Sequence, residues 1–154
     1  MDVADAEPRC FTICVFQDVD WATRGLEALQ GQRFDSGQVS VLAKKADDVE
    51  SLITSTFDTD PSVFESRGLG TVIALGPLVS ALQGIDDGLG KTGVAATINR
   101  VGFQKHDGFI FQTLTERGGV LVAVDSESRA ADALALFHSY GGGNAAIGAW
   151  AGRV

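Results

Sequence analysis

Blocks of apolar residues alternate with segments of helical periodicity along the chain. The run CFTICVF at residues 10–16 is apolar on both sides of an extended backbone and predicts a buried strand. Residues 17–32 carry apolar side chains at helical spacing, and Asp18 or Asp20 can cap that helix. After a turn, QVSVLA at residues 38–43 predicts a second strand. The three segments together predict one β-α-β unit.

A second unit of the same kind follows near the C-terminus. GVLVAV at 119–124 predicts a strand, Ser126 or Ser128 can cap a helix, and AAIGAW at 145–150 predicts a final strand. The two units can be aligned with each other at a constant sequence offset. In that alignment Phe16 matches Val124, Ala22 matches Ala130, Leu26 matches Leu134, Leu29 matches Phe137 and Val39 matches Ile147. The two ends of the chain therefore look like one structural unit used twice.

This repeat predicts an α+β fold of the ferredoxin-like kind, in which pseudo-duplicated β-α-β units flank an inserted Gly/Ala-rich helical hairpin. A single domain should span residues 10–150, after an N-terminal arm at 1–9. The first half would cover 10–45, the helical insert 46–117 and the second half 118–150. Helices should cover one sheet face. The other face is also apolar, so we expect partner subunits, the insert or both to cover it.

The insert should contain helices at 46–57 and 103–117. Between them, the uncharged stretch 68–85 ends at Asp86 and Asp87. Small residues recur there at every fourth position: Gly76, Ser80, Gly84, Gly88, Thr92 and Ala96. Such spacing places small side chains on one helix stripe and allows close backbone contact. The hairpin could pack inside its own subunit, or it could serve self-association or apolar ligand contact.

The segment GIDDGLGKTG at 84–93 ends like a phosphate-binding loop but lacks its spacing. That motif needs a glycine, four residues, and then Gly-Lys-Ser/Thr. Counting back from Gly90, the first glycine would fall on Ile85. Asp86 and Asp87 also place negative charge where a phosphate would lie. We therefore interpret these glycines as turn and contact residues.

Composition narrows the classes of partner. The chain is acidic, with a net charge of −8, which argues against nucleic acid and against anionic lipid surfaces. The first residues lack the apolar core of a signal peptide. Cys10 and Cys14 would lie about 13 Å apart on a strand, too far for a mutual disulfide. We expect a cytoplasmic protein, with any membrane association made through partners.

Several of these segments resemble the bacterial general-stress-protein group, which includes heat-induced and low-temperature-induced proteins of largely undefined function. The resemblance rests on CFTICVF, QVSVL, GLGTVIALGPLVSAL and VGFQKHDGFIFQTLTERGGVLVAV, in that order, and covers roughly residues 10–150. Here the hairpin is shorter and more polar than is usual in the group, with Asp86, Asp87 and Lys91 at its tip. The resemblance implies a fold and a possible stress role, and it brings no catalytic residue.

Few residues point to chemistry. His106 and Asp107 are neighbours on a predicted helix and so project in different directions. His138 lies near the end of the last helix, where a cation complements the helix dipole. Trp21 and Trp150 could pack in the core or anchor an interface. No spacing indicates a catalytic triad, a metal site or a cofactor.

Two functions follow from these patterns. The first is a non-enzymatic structural or scaffold subunit that self-associates through its sheet face and its Gly-rich hairpin, as a homo-oligomer or within a larger complex. The second is a binder or enzyme for an apolar, lipid- or quinone-like molecule. In that case His106 would be the acid or base, and the ligand lining would be Phe103, Phe109, Phe111 and Phe137.

Overall fold

Five strands and seven helices make up residues 10–57 and 59–142, the part of the chain that the computed structural model describes. The strands are β1 (Phe11–Phe16), β2 (Val39–Lys44), β3 (Ser62–Ser66), β4 (Gly70–Leu75) and β5 (Val120–Asp125). The helices are α1 (Val19–Gly31), α2 (Asp47–Phe57), α3 (Pro77–Gln83), α4 (Gly88–Thr92), α5 (Val94–Thr97), α6 (Lys105–Glu116) and α7 (Ala130–Ser139). Short 3-10 turns occupy Ser36–Gln38 and Ile98–Val101.

The strands form one antiparallel sheet in the order β1-β5-β2-β4-β3. Strand β5 lies between β1 and β2, with Phe11 opposite Asp125 and Phe16 opposite Val120. The first β-α-β unit is therefore split by a strand from the far end of the chain. This arrangement confirms the predicted α+β class and is compatible with a ferredoxin-like fold.

The N-terminal arm at 1–9 and the final strand predicted at 145–150, with Trp150, lie outside the described residues. The proposed duplication needs that final strand, so the duplication stays a prediction. The helices and strands predicted at 10–45 and 118–140 all form. Asp18 caps α1, where its Oδ1 accepts a hydrogen bond from the Trp21 amide at 2.9 Å.

Two layers of helices cover the sheet, because its central strands are apolar on both sides. The first helix layer, α1, α2 and α7, packs against one face with a core that includes Phe16, Leu26, Leu29, Ile53 and Phe137. The second helix layer, α3 to α6, packs against the other face with a core that includes Ile13, Leu78, Leu82, Phe111 and Leu121.

The central segment differs from the predicted helical hairpin. Residues 62–66 and 70–75 are strands that pair as a β-hairpin and extend the sheet beyond β2. The apolar stretch 68–85 is divided at Gly76, which has φ +106°, and Pro77 then opens α3. An unbroken helix cannot pass through that backbone conformation. The β-branched residues Thr71, Val72 and Ile73, which precede Gly76, favour a strand instead.

The second sheet face is consequently not open to a partner. Leu78 and Leu82 of α3 and Phe111 of α6 are buried against it. Of the coverings expected for this face, the chain's own central segment is the one observed. The described strands therefore offer no bare sheet face of the kind first expected, and self-association itself stays a prediction. Among the described helices, none combines the length and the apolarity needed to cross a bilayer.

Candidate functional site

A shallow groove with an apolar floor lies on the outer side of α6. Its volume is about 230 Å³, and its lining residues are His106, Phe109, Ile110, Thr113, Leu114 and Arg117. Phe109 is 53% exposed, although a phenylalanine usually lies inside a protein. The ammonium nitrogen of Lys105 lies 5.8 Å from the centre of the Phe109 ring. The groove thus joins an exposed aromatic ring to nearby cations.

The sequence of α6 explains why this face remains outside. The helix begins where the Gln104 amide donates to Asp107 Oδ2 at 3.0 Å. Phe111 and Leu114 turn inward and are almost fully buried. A Cβ at Gly108 would meet Ile98 Cγ2 at 2.5 Å, so this glycine permits close packing on the second helix layer. With these positions inward, Phe109 projects outward.

The four phenylalanines proposed to line one ligand pocket do not converge. Phe137 packs edge-on against Phe16 in the first helix layer, with ring centroids 5.9 Å apart. Phe111 packs edge-on against Phe103 in the second helix layer, at 5.7 Å. The sheet separates the two pairs. Only Phe109 of the proposed set lines the groove.

The predicted small-residue stripe is also dispersed. Gly76 lies in the turn between β4 and α3, where a Cβ would be 2.5 Å from the Val39 carbonyl oxygen. The Ser80 carbonyl accepts from the Gly84 amide at 2.9 Å at the end of α3. Ala96 lies exposed on the separate short helix α5. These positions belong to different elements and do not form one helix face.

The remaining stripe residues pack within the subunit. A Cβ on Gly84 or Gly88 would approach the Arg100 guanidinium to 2.8 Å or 2.7 Å. Thr92 Oγ1 donates to the Gly88 carbonyl at 2.7 Å. These glycines therefore make room for an arginine of their own chain. Self-association or apolar ligand contact through this segment stays a prediction.

That arginine holds the loop between α3 and α4. Arg100 donates to both carboxylate oxygens of Asp86, at 2.8 and 2.7 Å, and to the Leu82 carbonyl at 3.0 Å. The side-chain hydrogen bond from Arg100 lowers the pKa of Asp86 from 3.8 to about 2. The neighbouring Ile85 is fully exposed, at 107% of its reference area. A fixed loop therefore presents an apolar side chain to solvent.

The backbone of this region does not offer a phosphate cradle. The Gly90 amide donates to Gln83 Oε1 at 2.8 Å, and the Lys91 amide donates to the Asp87 carbonyl at 2.9 Å. Helix α4 has only five residues, Gly88–Thr92. Amides that a phosphate would need are already bonded within the chain, in agreement with the spacing argument.

The candidate acid-base residues are spread over the surface. His106 and His138 are both exposed, on α6 and α7. Asp107 caps its own helix and is not directed at His106 as a catalytic partner. Within residues 10–57 and 59–142, no three His, Cys, Asp or Glu residues come together in a set that could hold a metal ion.

The two cysteines are free thiols in the described structure. Cys14 is buried in β1, and desolvation raises the pKa of its thiol well above the ordinary value. Such a thiol is a poor nucleophile at neutral pH because the thiolate is disfavoured. Trp21 packs partly against the first helix layer, with the Arg24 guanidinium carbon 4.9 Å from its ring centre.

A second depression lies along the exposed side of α2. It is lined by Glu50, Ser51, Thr54 and Ser55, and its volume is about 440 Å³. It opens broadly to solvent and has no aromatic or aliphatic side chain in its lining. Its lining contains one carboxylate, Glu50, and three hydroxyl side chains.

Comparison with protein-family models, with curated proteins and with solved structures finds no significant match to this chain. The resemblance to the general-stress-protein group accordingly stays a prediction.

Sequence reasoning identified Phe109 and His106 but missed the rest of the groove, namely Ile110, Thr113, Leu114 and Arg117. A signal for them exists. Positions 106, 109, 110, 113 and 117 share one side of a helix by their three- and four-residue spacing. In the sequence analysis, Phe109 was instead grouped with the other phenylalanines and not with its neighbours on this side of the helix.

Proposed function

We propose that the protein is a non-enzymatic structural or scaffold subunit that acts by self-association. The observation that carries this proposal is the groove on α6, in which the ring of Phe109 is 53% exposed beside Ile110. Single exposed apolar residues are common, but an exposed aromatic within an apolar depression is typical of contact surfaces.

The groove replaces the two contact surfaces that the sequence had suggested. The sheet face is covered by the protein's own helices, and the glycine-rich segment packs around Arg100. The outer side of α6 carries an apolar surface that a partner can reach. A role in stress rests on the sequence resemblance alone and adds nothing to the choice of surface.

Binding of an apolar small molecule, lipid- or quinone-like, is the second candidate. Phe109 and Ile110 would give such a molecule an apolar floor. The volume of about 230 Å³ is below the roughly 300–1,000 Å³ of typical small-molecule sites. The groove is also open, so it would bury little of a ligand's surface. Contact with another protein surface suits this shape better.

The test is size-exclusion chromatography with light scattering over a concentration series. We expect the wild-type protein to associate at micromolar or higher concentration, and Phe109→Ser to shift it toward the monomer. Val63→Ser is the matched control, because Val63 is 47% exposed on β3 and lies outside the groove. A wild-type protein that stays monomeric throughout the series overturns the proposal.

The same proteins separate the second candidate from the first. Native mass spectrometry of protein purified from its own cells would detect a retained lipid or quinone. Retention by the wild type and loss in Phe109→Ser, without any change in subunit number, would favour the small-molecule function. A His106→Ala variant with unchanged association would agree with a contact role that uses no acid or base.

A further inference from the structure

The loop that carries Ile85 has the features of a protruding contact. Its isoleucine is fully exposed, at 107% of its reference area. The loop is fixed in place, because Arg100 binds the adjacent Asp86 through both carboxylate oxygens. Gly84 and Asp87 both have positive φ, +58° and +56°, and so form a tight turn around it. A side chain held out by a rigid turn loses little conformational freedom when it enters a partner.

The groove on α6 matches this loop because both the groove and the Ile85 side chain are apolar. Phe109, Ile110 and Leu114 provide an apolar floor that suits an aliphatic side chain. Removing Ile85 from water there would be favourable through the hydrophobic effect.

The charges at the two surfaces are also opposite. Lys105 and Arg117 lie at the two ends of α6, and neither forms an ion pair within the described residues. Asp87 beside Ile85 is exposed and likewise has no ion-pair partner there. In a chain with a net charge of −8, unpaired cations beside an apolar groove favour an occupant with acidic flanks.

We propose that the groove on α6 receives the Ile85 loop of a second copy of the same chain, with Asp87 placed toward the cations of α6. This inference rests on the proposed self-association and names the surfaces that produce it. In this proposal the contact is heterologous, because each copy gives its loop to one neighbour and receives the loop of another in its groove. Such a contact forms rings if its rotation closes and open chains if it does not.

A contact centred on one side chain is small, and weak association is expected for interfaces of this size. Opposite charges at its rim should make the association weaken as salt concentration rises. Sedimentation velocity at several protein and salt concentrations can measure both properties.

The decisive experiment mixes two variants. Ile85→Ser removes the protruding side chain and keeps the groove, whereas Phe109→Ser damages the groove and keeps the loop. Each variant alone should associate about 30-fold more weakly than wild type, the loss expected for an interface anchor. An equimolar mixture should form a two-copy complex and go no further, because one intact loop meets one intact groove. Both substitutions are at exposed positions, and circular dichroism checks that each variant is folded.

The outcomes separate this inference from the function on which it rests. If Phe109→Ser disrupts assembly and Ile85→Ser does not, self-association stands and the Ile85 contact is overturned. If both variants disrupt assembly but their mixture stays monomeric, the contact is not heterologous and the inference is again overturned. A monomeric wild type overturns both.

A charge-reversal variant provides an independent test of the proposed contact. Asp87→Lys should weaken association several-fold at low salt, and the difference from wild type should shrink at high salt. Asp60→Lys is the matched control, because Asp60 is an exposed carboxylate outside the Ile85 loop and the groove. An equal effect of both reversals would show a response to net charge and would contradict a specific role for Asp87.

Discussion

Replacing Gly76 by alanine tests the turn that divides the central segment. Gly76 has φ +106°, and a Cβ there would lie 2.5 Å from the Val39 carbonyl oxygen and 2.6 Å from Ser40 Cα. Both atoms belong to the backbone of β2, which cannot move without disturbing the sheet. With ψ at 176°, this positive φ lies in a region that is nearly exclusive to glycine, and it costs about 1–3 kcal/mol for another residue. Overpacking against fixed atoms adds about 1–3 kcal/mol.

The expected loss for Gly76→Ala is therefore about 2–6 kcal/mol in the free energy of unfolding. For a chain of this size each kcal/mol lowers the melting temperature by roughly 2–4 °C, so a fall of about 4–24 °C should be seen. Urea unfolding followed by circular dichroism measures the free energy directly. The slope with urea should stay the same if only the folded state is affected.

Gly70→Ala is the matched control for the free-energy cost of a positive φ. Gly70 has φ +80°, and no atom lies within 4 Å of an added Cβ. Its loss should be only about 1–3 kcal/mol, the cost of the backbone conformation. The difference between the two variants measures the close approach of α3 to β2. Equal losses, or a smaller loss at Gly76, would refute the packing argument and the placement of this turn.

Three further predictions concern the second helix layer. Because Arg100 lowers the pKa of Asp86 from 3.8 to about 2, the stability contributed by this pair should be complete above pH 3.8 and lost as the pH falls toward 2. The stability gap between wild type and Asp86→Asn, measured by urea unfolding, should close over that range; a constant gap would contradict the linkage. Ser40→Ala removes the buried acceptor of the Leu78 amide, at 2.8 Å, and should cost about 1–3 kcal/mol in unfolding free energy. Lys91→Ala should leave the melting temperature unchanged, with or without ATP and magnesium; a nucleotide-dependent gain in wild type alone would show a phosphate site.

Local periodicity was enough to predict the helices and strands whose apolar pattern lies within one continuous segment. The apolar runs at 11–16 and 120–125 became the paired strands β1 and β5, and the helical spacing after Asp18 became α1. The helices α2 and α6 also formed within about two residues of the predicted bounds. In each case, the same stretch of chain contains both the residues that favour the secondary structure and the apolar residues that become buried.

The central segment shows where that reasoning fails. Four-residue spacing of Gly76, Gly84 and Gly88 is compatible with one helix stripe, yet Gly76 and Gly84 have positive φ. A glycine is equally consistent in sequence with a helix contact or with a turn. Which one occurs depends on the atoms that approach it, here the backbone of β2 and the guanidinium of Arg100.

The candidate site was likewise predicted from the sequence only in part. The sequence identified Phe109 as an apolar residue of α6, but it grouped that residue with Phe111 and Phe137. Residue type alone cannot tell that the sheet lies between Phe111 and Phe137, or that Ile85 is the exposed residue of its loop.

By itself, then, the sequence determined the α+β class, the acidic character and most of the strands and helices, because these depend on short-range periodicity and on composition. The tertiary structure decided which sheet face is covered by which helices, what each glycine contacts and which aromatic ring is left exposed. These properties arise from contacts between residues distant in sequence, such as Gly76 with Val39 and Gly88 with Arg100. The free energy of each contact depends on distance and burial, and neither is encoded in any single stretch of chain.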